Sequence, residues 1–133
     1  MPYTITWMVR ERVLFAQISG EITAENGSAM FDETGHILKD FPVNSVYLIQ
    51  DVLEIEKIPI NWGTVVLAFR NRRSPQIKAT ITISNQSNLL LEIAMTFFAR
   101  ISRTTQYTVV SLPAALDLLR ELDPTLASEL PEN

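Results

Sequence analysis

Hydrophobic and polar positions switch period several times along this chain, and the switches predict its elements. Residues 3–9 and 12–19 are rich in β-branched and aromatic residues, with the charged pair Arg10-Glu11 between them. That pattern predicts an antiparallel hairpin. After Gly20, Thr23 is placed to cap a helix running to about Asp40. Met30, Thr34, Ile37, Leu38 and Phe41 fall on one face of it, and Glu25, Asp32, His36 and Asp40 on the other. Gly27 and Gly35 each weaken that helix by about 1 kcal/mol relative to alanine.

The stretch "SVYLIQD", ending at Asp51, is an almost continuous apolar run, as a central strand covered on both faces requires. A helix then starts near Asn61 and ends in "RNRR", whose cations complement the negative end of the helix dipole. "IKATITI" reads as a strand, "SNQSN" as a polar turn, and residues 89–101 as the most apolar helix of the chain. "QYTVV" is a final strand, after which Ser111 caps "LPAALDLLREL" with Pro113 tolerated in its first turn. Residues 123–133 are acidic and proline-punctuated, which predicts a loosely packed tail. Alternation of this kind predicts one α/β domain. Its sheet is five-stranded, mixed and mostly parallel, with the N-terminal antiparallel hairpin at one edge and four helices on both faces.

Composition narrows the function classes. Of 133 residues, 47% are apolar and 20% charged, which suits a chain that buries a core and excludes a disordered one. A net charge of −4 offers no general attraction to nucleic acid or anionic lipid. With no cysteine, disulfides, thiolate catalysis and cysteine zinc sites are excluded. The start "MPYTITWMVRERVL" lacks the basic-then-apolar order of a secretory signal, and no uncharged apolar run approaches the roughly 20 residues of a spanning helix. A soluble cytoplasmic protein without membrane insertion is the expectation.

Candidate chemistry is sparse. His36, the only histidine, has Asp32 and Asp40 four residues away on either side, a spacing that stacks a carboxylate-imidazole-carboxylate row. The helical periodicity puts that row on the solvent side, and a zinc site lacks the further nitrogen or sulfur donors it needs. Asp51, Glu54 and Glu56 follow the central strand as an acidic loop, which is either solvated or a set of paired carboxylates for acid/base work or for holding magnesium. In open α/β sheets ligands bind beyond the carboxyl ends of the strands. Gly20, Asp51, Asn61, Trp62, Asn85, Ser87 and Asn88 are expected at that edge, where helix N-termini at Asn61, Ser87 and Ser111 offer donors to an anion. No glycine-rich phosphate loop accompanies them, so neither a nucleotide nor any other cofactor is expected. Arg70, Arg72, Arg73 and Lys78 form the sole basic cluster, without the interleaved aromatics of a nucleic-acid surface. In the apolar helix, a narrow polar stripe (Asn88, Glu92, Thr96, Arg100, Arg103) leaves more apolar surface than one sheet face covers. Leu91, Met95 and Phe98 are the candidate interface, toward a second copy or a regulatory protein.

The element order, the opening "YTITWMVRERVLFAQISGEIT", the strand ending in Asp51 and the closing "YTVVSLPAALDLLRELDP" together resemble the SpoIIAA-like branch of the STAS superfamily, the anti-sigma-factor-antagonist fold. The resemblance implies that fold over almost the whole chain, and a role in bacterial signalling through protein contacts. Phospho-regulated members carry an Asp-Ser-Ser/Thr-Gly type motif where the second helix starts. Matched on the glycine, this chain has Ile60, Asn61, Trp62 and Gly63, so Trp62 stands at the phosphorylated position and Thr64 lies one place beyond the glycine. A phosphorylation switch is therefore not expected. Two functions remain: a non-catalytic regulatory or scaffolding domain, expected as a homodimer or with a regulatory protein partner, and a small-ligand binder for an anion or lipid-like molecule. The sequence favours the first.

Overall fold

The computed structural model describes residues 2–57, 74–85 and 105–131. Five strands form one sheet in sequence order: β1 (Tyr3–Val9), β2 (Val13–Glu21), β3 (Val46–Lys57), β4 (Ile77–Ile83) and β5 (Thr105–Val109). β1 pairs antiparallel with β2, and every other neighbouring pair is parallel. Two α-helices lie among the described residues, α1 (Ala24–Leu38) and α2 (Leu112–Leu122). The helices expected to start near Asn61 and Leu89 fall outside the described residues.

Local sequence explains each boundary. Thr23 caps α1: its Oγ1 accepts from Asn26 N at 3.1 Å, while Asn26 Oδ1 accepts from Thr23 N at 3.1 Å. This reciprocal box satisfies two backbone donors that the first helical turn leaves free. The expected faces hold, since Leu38 is fully buried while Asp32, His36 and Asp40 are exposed. Ser111 caps α2 by accepting from Ala114 N at 3.2 Å, and Pro113 sits where no intrahelical N–H is required.

Both faces of the sheet are packed. On one, Leu14, Ala16, Val46 and Leu48 meet Leu38 and the half-buried Ile37 of α1, and Phe41 just after it. Trp7 closes this side, its ring 5.5 Å from that of Phe41. On the other, Val13, Tyr47, Ile49, Ala79, Ile81 and Ile83 meet Ala115, Leu116 and Leu119 of α2. Val46 to Ile49 are all buried, so β3 alternates its apolar side chains between two cores, as its unbroken apolar run implied.

Two expectations need correction. Glu54 and Glu56 are not in an acidic loop but in β3, which runs on to Lys57. β2 extends in parallel to Glu21 and supplies the ladder: Ser19 lies opposite Glu54, Gly20 opposite Ile55 and Glu21 opposite Lys57. β3 bulges twice against β2 to stay in register, between Asp51 and Glu54 and again before Lys57. Glu54 and Glu56 are exposed alternate positions of a strand rather than a free loop.

Nor does the C-terminal tail pack loosely. A 3₁₀ turn at Pro124–Leu126 carries the chain back over the α2 face, where Leu126 is fully buried and Leu130 is 6% exposed. They join the cluster of Val9, Val13, Tyr47 and Ala79, near the amino ends of the parallel strands. Arg12, at the β1–β2 turn, reaches across to this segment. It donates to Asp123 Oδ2 at 3.1 Å, Thr125 Oγ1 at 2.9 Å and Glu129 Oε2 at 3.2 Å. Arg120 Nη2 donates to the Pro131 carbonyl at 2.7 Å. Removing the buried leucine leaves a cavity, whereas pairs as exposed as these are worth at most about 1 kcal/mol each. Accordingly, Leu126→Ala is expected to lower unfolding stability by about 3 kcal/mol and Arg12→Ala by about 1 kcal/mol, read as shifts of the urea midpoint. Equal losses would show that the ions, not the leucine, hold the tail.

Candidate functional site

The carboxyl edge of the parallel strands is stepped. Gln17, Asp51, Ile83 and Val109 lie in one row across β2, β3, β4 and β5. β4 and β5 end at that row, while β2 and β3 continue to Glu21 and Lys57. Gly20 therefore stands beyond Asp51, opposite Ile55, with a φ of 72° that suits a glycine. Past β4, Ser84 N donates to the Val109 carbonyl at 2.9 Å, and Asn85 is exposed just after it. The structure thus brings Asp51 and Asn85 to the same edge. Asn61, Trp62, Ser87 and Asn88, the other expected ligand contacts, lie outside the described residues, as do the interface candidates Leu91, Met95 and Phe98 and the hydroxyl of Thr64.

Asp51 is half-buried, and its carboxylate has a structural task. Oδ1 accepts from the backbone N–H of Leu53 at 3.1 Å, at the bulge that interrupts the β2–β3 ladder. A bulge takes an amide out of regular pairing, and an unmatched amide is costly when water is excluded. The side chain two residues earlier meets that need, in the manner of an Asx turn.

His36 does not join this edge. α1 leaves the carboxyl end of β2 and delivers the chain to the amino end of β3, so its last turn, with His36, sits at the opposite end of the sheet from Asp51. The imidazole is exposed on the outer face, with Asp32 and Asp40 also exposed. No group of three or more metal-ligating side chains occurs among the described residues. Of the basic cluster, only Lys78 is described, with Nζ 5.5 Å from the centroid of the Tyr47 ring.

Sequence reasoning missed two sets of polar residues. The first is the Arg12 network with Asp123, Thr125 and Glu129 at the amino edge. The hydrogen bond from the Thr125 hydroxyl holds the Asp123 carboxyl below its ordinary range, and the Thr125 N–H, Arg12 and Lys78 pull the same way against the opposing effect of burial. The second is a polar row on the α1 side of the sheet: Leu48, Thr80 and Gln106 share one register row, and Gln50, Thr82 and Thr108 the next. Thr80 and Thr82 are 3% and 4% exposed, and the Thr82 hydroxyl faces Gln50 Oε1 at 3.5 Å. Gln106 Nε2 is enclosed without a hydrogen-bond partner. The threonine alternation of "IKATITI" was the available signal for this row.

Comparison with known proteins places the fold. No protein-family profile and no curated protein matches the chain. Among solved structures, an uncharacterized protein of the DUF3478 family with a SpoIIAA-like fold, from Shewanella loihica PV-4, superposes with a TM-score of 0.66. It is 16% identical, and the match covers 88% of this chain and 93% of that one. The antiparallel β1, the parallel remainder and the helices on both faces are therefore a SpoIIAA-like fold.

Because Asp123 has its pKa lowered on folding, it stabilises the protein fully above its unfolded value near 4, and that contribution disappears as pH falls through the lower folded value. Asp123→Asn is expected to flatten the stability profile below about pH 4 relative to wild type, measured by urea unfolding at successive pH values. An unchanged acid limb would assign the loss to other carboxylates.

Proposed function

We propose that this chain is a non-catalytic regulatory or scaffolding domain that works through protein contacts and has no phosphorylation switch at residues 60–63. The observation that carries this is the commitment of Asp51. The one carboxylate in the carboxyl-edge row is engaged with the Leu53 amide, holding a bulge rather than standing ready as an acid, base or ligand. The sequence supports the second half, since Trp62 takes the place of the hydroxyl that phospho-regulated relatives modify. The SpoIIAA-like fold is compatible with such a role, and the neighbour that shares it is itself uncharacterized.

One observation favours a small-ligand role instead. The enclosed Gln106 amide lacks an acceptor, which a ligand oxygen or an ordered water would supply. The two functions separate in amide spectra of ¹⁵N-labelled protein, titrated with inorganic phosphate, with a short-chain fatty acid and with a protein-free metabolite extract. The protein-contact function expects the signals of Gly20, Asp51, Leu53, Asn85 and the Gln106 side chain to stay in place. Saturable movement of the carboxyl-edge signals or of Gln106 would overturn it in favour of ligand binding.

A further inference from the structure

β1 is an outermost strand of the sheet, hydrogen-bonded on one side to β2 and, among the described residues, to no strand on the other. An edge strand presents a row of backbone donors and acceptors to any second strand. Proteins that avoid such pairing place lysine, proline or inward charge within the edge. β1, "YTITWMV", carries no charged residue and no proline. Its regular stretch runs from Tyr3 to Trp7, each residue matched in turn with Ile18 to Leu14 of β2. Pro2 precedes this stretch, and a bulge at Met8 ends it. The other outer strand among the described residues, β5, is shorter.

We propose that two copies of this chain pair through β1, antiparallel about a two-fold axis at Ile5, so that two five-stranded sheets become one continuous sheet. This deepens the protein-contact function by naming a second copy as the partner, and it rests on that function. The sequence of β1 is complementary to itself in this register. Ile5 faces the partner's Ile5, Thr4 faces the partner's Thr6, and Tyr3 faces the partner's Trp7. These are β-branched, hydroxyl and aromatic pairs of the kind that stabilise antiparallel neighbours. Thr4 and Thr6 are exposed in the single chain and project away from the face on which Ile5 and Trp7 pack. With no charge in the strand, no like charges are brought together by the two-fold axis. Pro2 and the Met8 bulge limit the pairing to one register, because a slip would place an irregular residue inside the new ladder.

Light scattering across a dilution series tests this on the full chain. Wild type is expected at twice the chain mass when concentrated and to dissociate on dilution. The double variant Thr4→Lys/Thr6→Lys sets lysine against lysine and is expected to weaken association about tenfold or more, as is Thr4→Glu/Thr6→Glu. An equimolar mixture of the two is expected to recover the dimer at low salt and lose it as salt is added. Circular dichroism confirms that each variant is folded, and recovery in the mixture shows that neither lost its pairing edge by unfolding. Thr108→Lys on β5 is expected to leave the wild-type dimer intact. A wild-type monomer at every concentration, a dimer indifferent to both double variants, or one broken by Thr108→Lys overturns the proposal. A monomer would leave the protein-contact function standing, whereas ligand-shifted carboxyl-edge signals would remove that function without bearing on β1.

Discussion

Four consecutive apolar residues, Val46 to Ile49, govern this fold because a strand has only two sides. Val46 and Leu48 must be covered on one face and Tyr47 and Ile49 on the other, and each of the four is at most 6% exposed. No arrangement with β3 at an edge or on a solvated sheet meets that requirement. β3 accordingly occupies the middle of the sheet, between β2 and β4, with α1 over one face and α2 over the other. The parallel pairing of β2 with β3 follows as well, since α1 lies between them and returns the chain to the same end of the sheet.

The two ends of the sheet solve different problems. At the carboxyl edge, β2 and β3 outrun β4, and the bulge in their pairing is held by Asp51 through the Leu53 amide. At the amino edge the α2-side core would open to water beyond α2, and the tail closes it. Leu126 and Leu130 fill the gap while Arg12 ties the tail to the hairpin turn. Acidic residues thus serve the backbone at both ends: Asp51 receives Leu53 N–H and Asp123 receives Thr125 N–H. β1, by contrast, is an outer strand without charge, and its edge offers backbone groups for pairing.

Much of this was legible in the chain because its signals are local. The hairpin, the Thr23 and Ser111 caps, "IKATITI" and the apolar face of α1 each declare themselves within about a dozen residues, and the structure places them there. What was missed depends on partners distant in sequence. Arg12 and Asp123 are 111 residues apart, and nothing near either residue announces the other. The extension of β3 was masked by Glu54 and Glu56, although the alternation of Leu53, Glu54, Ile55 and Glu56 is itself a strand pattern once β2 is long enough to pair with it. Likewise, the spacing of Leu126 and Leu130 marks a helical turn with one buried side, outweighed in the sequence by the prolines and acids around it. Of the candidate site, topology alone located Asp51 and Asn85 at one edge. It could not show that Asp51 was already occupied, because that follows from a bulge set by the register of two strands.

Amide hydrogen exchange along β3 tests the two-sided burial most directly. If Val46 to Ile49 organise the fold, their amides exchange only when the whole protein unfolds, with a denaturant dependence equal to that of global unfolding. Residues 54–57, past the end of β4, exchange faster through local opening. Exchange of 46–49 as fast as that of 54–57, or independent of global stability, would contradict a fold built around a doubly covered central strand.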